Sequence, residues 1–186
     1  MDRVGEGELP PEDEQALGPP ADHEAVARKV LLDQLTGQPR SRAELATKLA
    51  RKHVPADIAQ RMLDRFEQVG LVDDAAFARD WVESRQSGRG LARRALAVEL
   101  RRKGVDQAVV EEAVGTVDAD LEEATARQLV RRKLRSLARY DEQTVARRLT
   151  GMLARKGYPP GVVFRVVREE VAGAVMEDAE PLGEPE

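Results

Sequence analysis

One short phrase occurs three times in this chain: Leu49-Ala50-Arg51-Lys52-His53-Val54, Leu100-Arg101-Arg102-Lys103-Gly104-Val105 and Leu153-Ala154-Arg155-Lys156-Gly157-Tyr158. The copies stand 51 and 53 positions apart, and the match extends outward from each. Leu45, Leu49, Lys52 and Ile58 recur as Leu96, Leu100, Lys103 and Val109, then as Leu149, Leu153, Lys156 and Val162. Upstream, at the same offsets, Val30 matches Trp81 and Leu134. A period of about 50 residues marks an array in which each copy is one supersecondary unit that buries its apolar face with its neighbours.

Each copy reads as three helices. In the first, Val26, Val30, Leu31 and Leu35 have helical spacing, and Gly37-Gln38-Pro39 stops the run. Ser41 and Glu44 form a capping box that opens the helix of Leu45 and Leu49. Pro55 opens a third helix carrying Ile58, Met62, Phe66 and Val69, which Gly70 ends. In the second copy Asp73 caps the helix of Phe77, Trp81 and Val82, and Gly88-Arg89-Gly90 breaks it. Leu96 and Leu100 carry the next helix, Gly104 ends it, and Val109, Val110, Ala113 and Val114 make a short third. The third copy follows with Leu129, Leu134 and Leu137, then Asp141 capping Val145, Leu149 and Leu153, then Pro159 before Val163, Val166, Val167 and Val171.

No period-two run of β-branched residues occurs, so the expected fold is all-α. It is three tandem three-helix, helix-turn-helix-like repeats in an elongated curved array, spanning 23–73, 74–118 and 119–172. Residues 1–22 and 173–186 are rich in acids, Gly and Pro and are expected to be disordered acidic tails. The charge is divided accordingly. Residues 1–24 hold eight acidic side chains and one basic, and 172–186 hold five acidic and none basic. The body, 25–171, holds 29 basic and 21 acidic residues, which suits a polyanion-facing core between tails that shield it or merely aid solubility.

Composition removes much chemistry. The chain has no cysteine, so disulfides, thiolate nucleophiles and Cys-ligated metals are excluded, and a reducing compartment fits. His23 and His53 are the only histidines, and six aromatics are too few for a base-stacking sheet face. There is no apolar run long enough to span a bilayer and no secretory signal pattern. No Gly-x-x-x-x-Gly-Lys-Ser/Thr loop occurs, so nucleotide hydrolysis is not expected. Ser41 is a better N-cap than nucleophile, and the adjacent acids Asp73-Asp74 and Glu111-Glu112 do not face each other on a helix. No enzyme activity, metal or cofactor is expected.

The conspicuous chemistry is basic. Arg85, Arg89, Arg93, Arg94, Arg101, Arg102 and Lys103 lie in one stretch with Glu99 as the only acid. Arg94, Arg101 and Arg102 lie away from the Leu96–Leu100 core face, and Gly88 and Gly90 allow close backbone approach to a partner. The third copy repeats the pattern with Arg131, Arg132, Arg155 and Lys156 among others. Guanidinium groups suit phosphates and carboxylates, so these eleven residues are the candidates for contact with an anionic partner or DNA, against the plainer reading of a solvated charged face. Phe77 and Trp81 share the apolar stripe of their helix and read as core.

The stretch Gly70-Leu71-Val72-Asp73-Asp74-Ala75-Ala76-Phe77-Ala78, then Arg85, Gly88-Arg89-Gly90, and Leu96-x-x-x-Leu100-x-x-Lys103-Gly104-Val105, resembles the RecX family of recombination regulators. Ser41-Arg42-x-Glu44-Leu45-x-x-Lys48-Leu49 matches as well, and the resemblance covers about 24–171. Leu91 stands where the family usually has proline. The resemblance implies a bacterial cytoplasmic protein that binds the RecA recombinase filament on single-stranded DNA. It would inhibit ATP hydrolysis, strand exchange and co-protease action as a monomer, with only weak, non-specific binding to free DNA and no membrane. The rival readings are a DNA-binding module of another class and a structural scaffold. The polar faces carry mostly Arg, Lys and Glu with little Asn or Gln, which argues for backbone or protein contacts over base reading.

Overall fold

The computed structural model describes residues 22–179, all of it helix and short connections. Of the two expected tails, all but Asp22 and 173–179 lie outside the described residues. The helices are α1 (His23–Gly37), α2 (Arg42–Arg51), α3 (Ala56–Gln68), α4 (Asp74–Arg89), α5 (Arg93–Arg102), α6 (Gln107–Gly115), α7 (Ala119–Leu134), α8 (Glu142–Arg155) and α9 (Pro160–Ala179). Short polar side chains start most of them by accepting orphan backbone N–H groups. Asp22, Asp73, Asp106, Asp118 and Asp141 do so for α1, α4, α6, α7 and α8. Ser41 and Glu44 form the complete capping box of α2. Pro55 is the N-cap of α3, one residue before the helix it was expected to open.

Three hydrophobic clusters follow the three repeats. Leu31, Leu45, Leu49 and Leu63 centre the first, Val82, Leu96, Leu100 and Val110 the second, and Val130, Leu149, Leu153 and Val166 the third. The closely packed helix pairs all lie within one repeat, so the chain is a string of small cores and not one bundle. Ala92, in the α4–α5 turn, is buried in the third cluster and is the residue by which the second repeat enters its neighbour's core.

Three details depart from the sequence reading. The first helix of the third repeat is out of step with the ungapped match. The fully buried alanines are Ala27, Ala78 and Ala126, offsets of 51 and 48, so Trp81 corresponds to Leu129 and not to Leu134. The five missing positions reappear in the longer connection between Leu134 and Glu142. Gly88 is not a break: α4 runs through it to Arg89, and the stop is Gly90, left-handed at φ 58°. Leu91 N–H then donates to the Arg85 carbonyl, closing the helix end with a bond that a proline could not make. Finally, α9 continues past Gly173 to Ala179. A single glycine costs a helix only about 1 kcal/mol against alanine, and the next proline is Pro181.

Candidate functional site

The thrice-written phrase closes α2, α5 and α8 in the same way. Val54, Val105 and Tyr158 donate their N–H to the carbonyls of Leu49, Leu100 and Leu153 at 3.2, 3.3 and 3.2 Å. The residue before each is left-handed: His53 at φ 56°, Gly104 at 75°, Gly157 at 88°. A Cβ on Gly104 would lie 2.4 Å from the Cβ of Ala43, and one on Gly157 would lie 2.5 Å from the backbone nitrogen of Ala95. Both obstacles belong to the preceding repeat, so glycine is required because two repeats meet there. Among the described residues no repeat precedes the first. His53 is exposed, and only the strain of a left-handed non-glycine residue, about 1–2 kcal/mol, opposes it.

Around these glycines lie two joints. In the first, the fully buried Ser41 donates its hydroxyl to the Lys103 carbonyl at 2.6 Å while accepting the Glu44 N–H. Glu44 in turn receives the Lys103 ammonium at 2.7 Å. Arg42 N–H, in the first turn of α2, donates to Asp74 at the start of α4 at 2.8 Å. Burial pushes Glu44 up, but Lys103 and the Ser41 N–H outweigh it and hold the carboxyl below its ordinary range. Asp74 is raised by burial despite the Arg42 N–H.

In the second joint, Ala92 N–H donates to the Lys156 carbonyl at 2.9 Å. Arg93 N–H donates to Glu122 at 2.7 Å, and Glu122 is the one buried carboxylate of the described residues. Tyr158 donates its hydroxyl to the Gly90 carbonyl at 3.1 Å, and burial followed by the nearby Glu122 pushes its pKa up to about 12. Gly90 lies against the third repeat, where a Cβ would meet Leu129 at 2.9 Å. The close backbone approach expected at this glycine is therefore made to the chain's own α7, not to a partner.

The eleven candidate basic residues divide into two sets. Lys103 serves the first joint and also lies 4.2 Å from the Trp81 ring centre, with the Arg85 guanidinium 4.0 Å from the same centre. The indole N–H donates to Glu99, so Trp81 is a clamped core edge and not an open stacking platform. Arg131 is bonded to Glu170 on α9 at 2.6 Å. Arg93 is half-exposed and turned toward Glu122 at 4.0 Å. Lys156 donates to the Arg89 carbonyl at the end of α4. Burial, then Arg132, then Arg89 depress its pKa, which places those two charges beside it. Arg94, Arg101, Arg102, Arg132 and Arg155 are exposed, with no carboxylate within ion-pair distance among the described residues. Sequence reasoning missed Glu122 and Asp74 as joint acids. They correspond at an offset of 48, which becomes visible only once the gap is placed between α7 and α8.

Among the described residues no cluster of His, Asp and Glu could hold a metal, and no helix is long and apolar enough to cross a membrane. The class this defines is an all-α tandem-repeat protein with exposed arginine faces. Comparison with known proteins agrees repeat by repeat. The first, second and third three-helix domain models of RecX match residues 27–66, 73–114 and 121–167. The chain is 52% identical over 166 residues to the regulatory protein RecX of Streptomyces coelicolor, covering 89% of this chain and 88% of that one. It is 48% identical over 176 residues to that of Thermobifida fusca, covering 95% and 94%. The crystal structure of RecX from Lactobacillus salivarius has the same fold, with a TM-score of 0.73 at 18% identity over 81% of this chain and 98% of that one. This chain belongs to the RecX family.

Proposed function

We propose that this protein regulates recombination by binding the RecA recombinase filament on single-stranded DNA in the bacterial cytoplasm and inhibiting its ATPase, strand-exchange and co-protease activities. The observation that carries the reading is that all three repeats match the family's three domain models in order. The geometry supports it. Three small cores joined by short polar contacts present a repeated surface to a repeated partner, and linked weak contacts multiply through effective concentration. The unpaired arginines Arg94, Arg101 and Arg102 lie on the outer face of α5, opposite Leu96 and Leu100, and are available to such a partner.

The physical action is occupancy: a monomer spanning neighbouring recombinase subunits competes for the groove a second DNA enters and resists subunit rearrangement during turnover. Adding the protein to a preformed filament should lower ATP hydrolysis and strand exchange. Charge reversal of Arg94, Arg101 and Arg102 to Glu should weaken inhibition without unfolding the chain. Arg93 is a poor choice for this test, because its reversal sets a carboxylate against Glu122. Unchanged hydrolysis, strand exchange and filament length at saturating protein would refute the reading. A sequence-specific footprint on duplex DNA would favour the transcription-factor alternative.

A further inference from the structure

The two joints are built on one plan, and they differ in one charge. Lys103 and Lys156 hold the same position in the repeated phrase, each at the C-terminal end of the second helix of its repeat. Lys103 meets Glu44 at 2.7 Å. The position corresponding to Glu44 in the next repeat is Ala95, and no carboxylate of the described residues lies within ion-pair distance of Lys156. In place of a carboxylate, Lys156 has two further cations beside it, Arg89 and Arg132. Arg89 keeps only a 3.6 Å approach to Glu99 and its side chain is 60% exposed. Ala92 N–H on the Lys156 carbonyl also brings the start of α5 to the same place. That helix has no side-chain N-cap, no acid in its first turn, and Arg93 and Arg94 as its first two residues. The one acid there, Glu122, is turned to the Arg93 N–H and guanidinium.

We propose that Lys156, Arg89 and Arg132 form an anion site at the second joint that takes a phosphate of a single-stranded nucleic-acid backbone. Three cations around one opening exceed what a single carboxylate requires, and Arg94 on the adjoining first turn offers a station for the next phosphate. A polymer of regularly spaced phosphates fits that series, and guanidinium forks bind phosphate oxygens in pairs. The proposal deepens the function above by locating one DNA contact of the regulator, and it rests on that reading only in taking nucleic acid as the polyanion.

The test uses the full chain and labelled oligo(dT), with anisotropy measured across a salt series. Ala95→Glu installs at the second joint the carboxylate that Glu44 supplies at the first. Affinity should fall by about three- to tenfold at low salt. The slope of log K against log salt should lose about 0.7, the value of one single-strand phosphate contact. Arg132→Gln, at an exposed position, should give the same loss of slope and decides the question if Ala95→Glu does not fold. Arg28→Gln, on exposed α1 surface, should leave both quantities unchanged. Wild-type affinity and slope in folded Ala95→Glu or in Arg132→Gln would overturn the site. Displacement of oligo(dT) by polyglutamate at equal charge concentration would overturn the phosphate assignment in favour of an acidic protein. Recombinase ATPase is assayed in parallel. A wild-type protein that binds oligo(dT) as described but never inhibits leaves this site standing and removes the proposed function, whereas inhibition with unaltered salt slopes does the reverse.

Discussion

At the first joint the start of α2 presents Ser41 and, one turn on, Glu44; at the second the same two positions of α5 are Ala92 and Ala95. The serine hydroxyl and the glutamate carboxylate reach Lys103 across the repeat boundary. The alanines reach nothing with their side chains, and the contact passes to the backbone: Ala92 N–H to the Lys156 carbonyl, with Ala92 itself buried in the next repeat's core. Both joints keep a carboxylate from the following repeat on the first-turn N–H of the helix, Asp74 on Arg42 and Glu122 on Arg93. Both keep a left-handed glycine pressed on an alanine. The comparison teaches which parts of a joint are interchangeable. The glycine and the capping acid recur, while the side-chain cap and its ion pair are traded for burial and leave a lysine free to face outward.

The largest expected effect tests the shared glycine. Gly157→Ala forces a Cβ into backbone and adds left-handed strain, for a loss of about 2–4 kcal/mol in urea denaturation. Gly104→Ala should lose somewhat less, because its obstacle is the single methyl of Ala43. Gly70→Ala shares the left-handed φ, 72°, with open space around it, and should lose only about 1 kcal/mol. Equal losses at all three would mean that the backbone conformation, not the joint, dictates the glycines.

Next in size is the capping acid. Glu122→Ala strips the acceptor from a buried N–H and should cost about 2 kcal/mol, against about 1 for Asp74→Ala at the less buried first joint. The reverse order would show that the second joint depends on burial alone.

The ion pair separates the joints by pH. Glu44 has its folded pKa lowered, so its contribution is fully present above its unfolded value of about 4.3 and is lost as pH falls through the lower folded value. Glu44→Gln should therefore be less stable than wild type at neutral pH, by about 1 kcal/mol, and the gap should close below about pH 4. A gap independent of pH would assign Glu44 a packing role only.

The smallest effect concerns the repeat that has no predecessor. His53→Gly relieves left-handed strain at a position with no joint to protect, and should raise stability by about 0.5–1 kcal/mol after the entropy cost of glycine. Destabilisation there would mean that the His53 side chain makes a contact of its own.

Much of the fold was legible in the residues. Helical spacing, the Ser41–Glu44 box, the aspartate caps at Asp73 and Asp141 and the closing glycines Gly70 and Gly104 are signals between residues within a turn or so of each other. Their meaning does not depend on what lies across the molecule, and the phrase repeated at 51 and 53 positions added the count of modules. The candidate site was legible only as a list of basic residues. Whether a given lysine or arginine faces a partner was decided by groups far along the chain: Glu44 for Lys103, Arg89 and Arg132 for Lys156, Glu170 for Arg131. The glycines tell the same story. Sequence showed that helices stop at Gly90, Gly104 and Gly157, while only the packing of repeats showed that the space beside them is filled by Leu129, Ala43 and Ala95. A cap needs one turn of chain to be recognised, but a joint is made by residues about 60 positions apart, and its chemistry exists only when the repeats have docked.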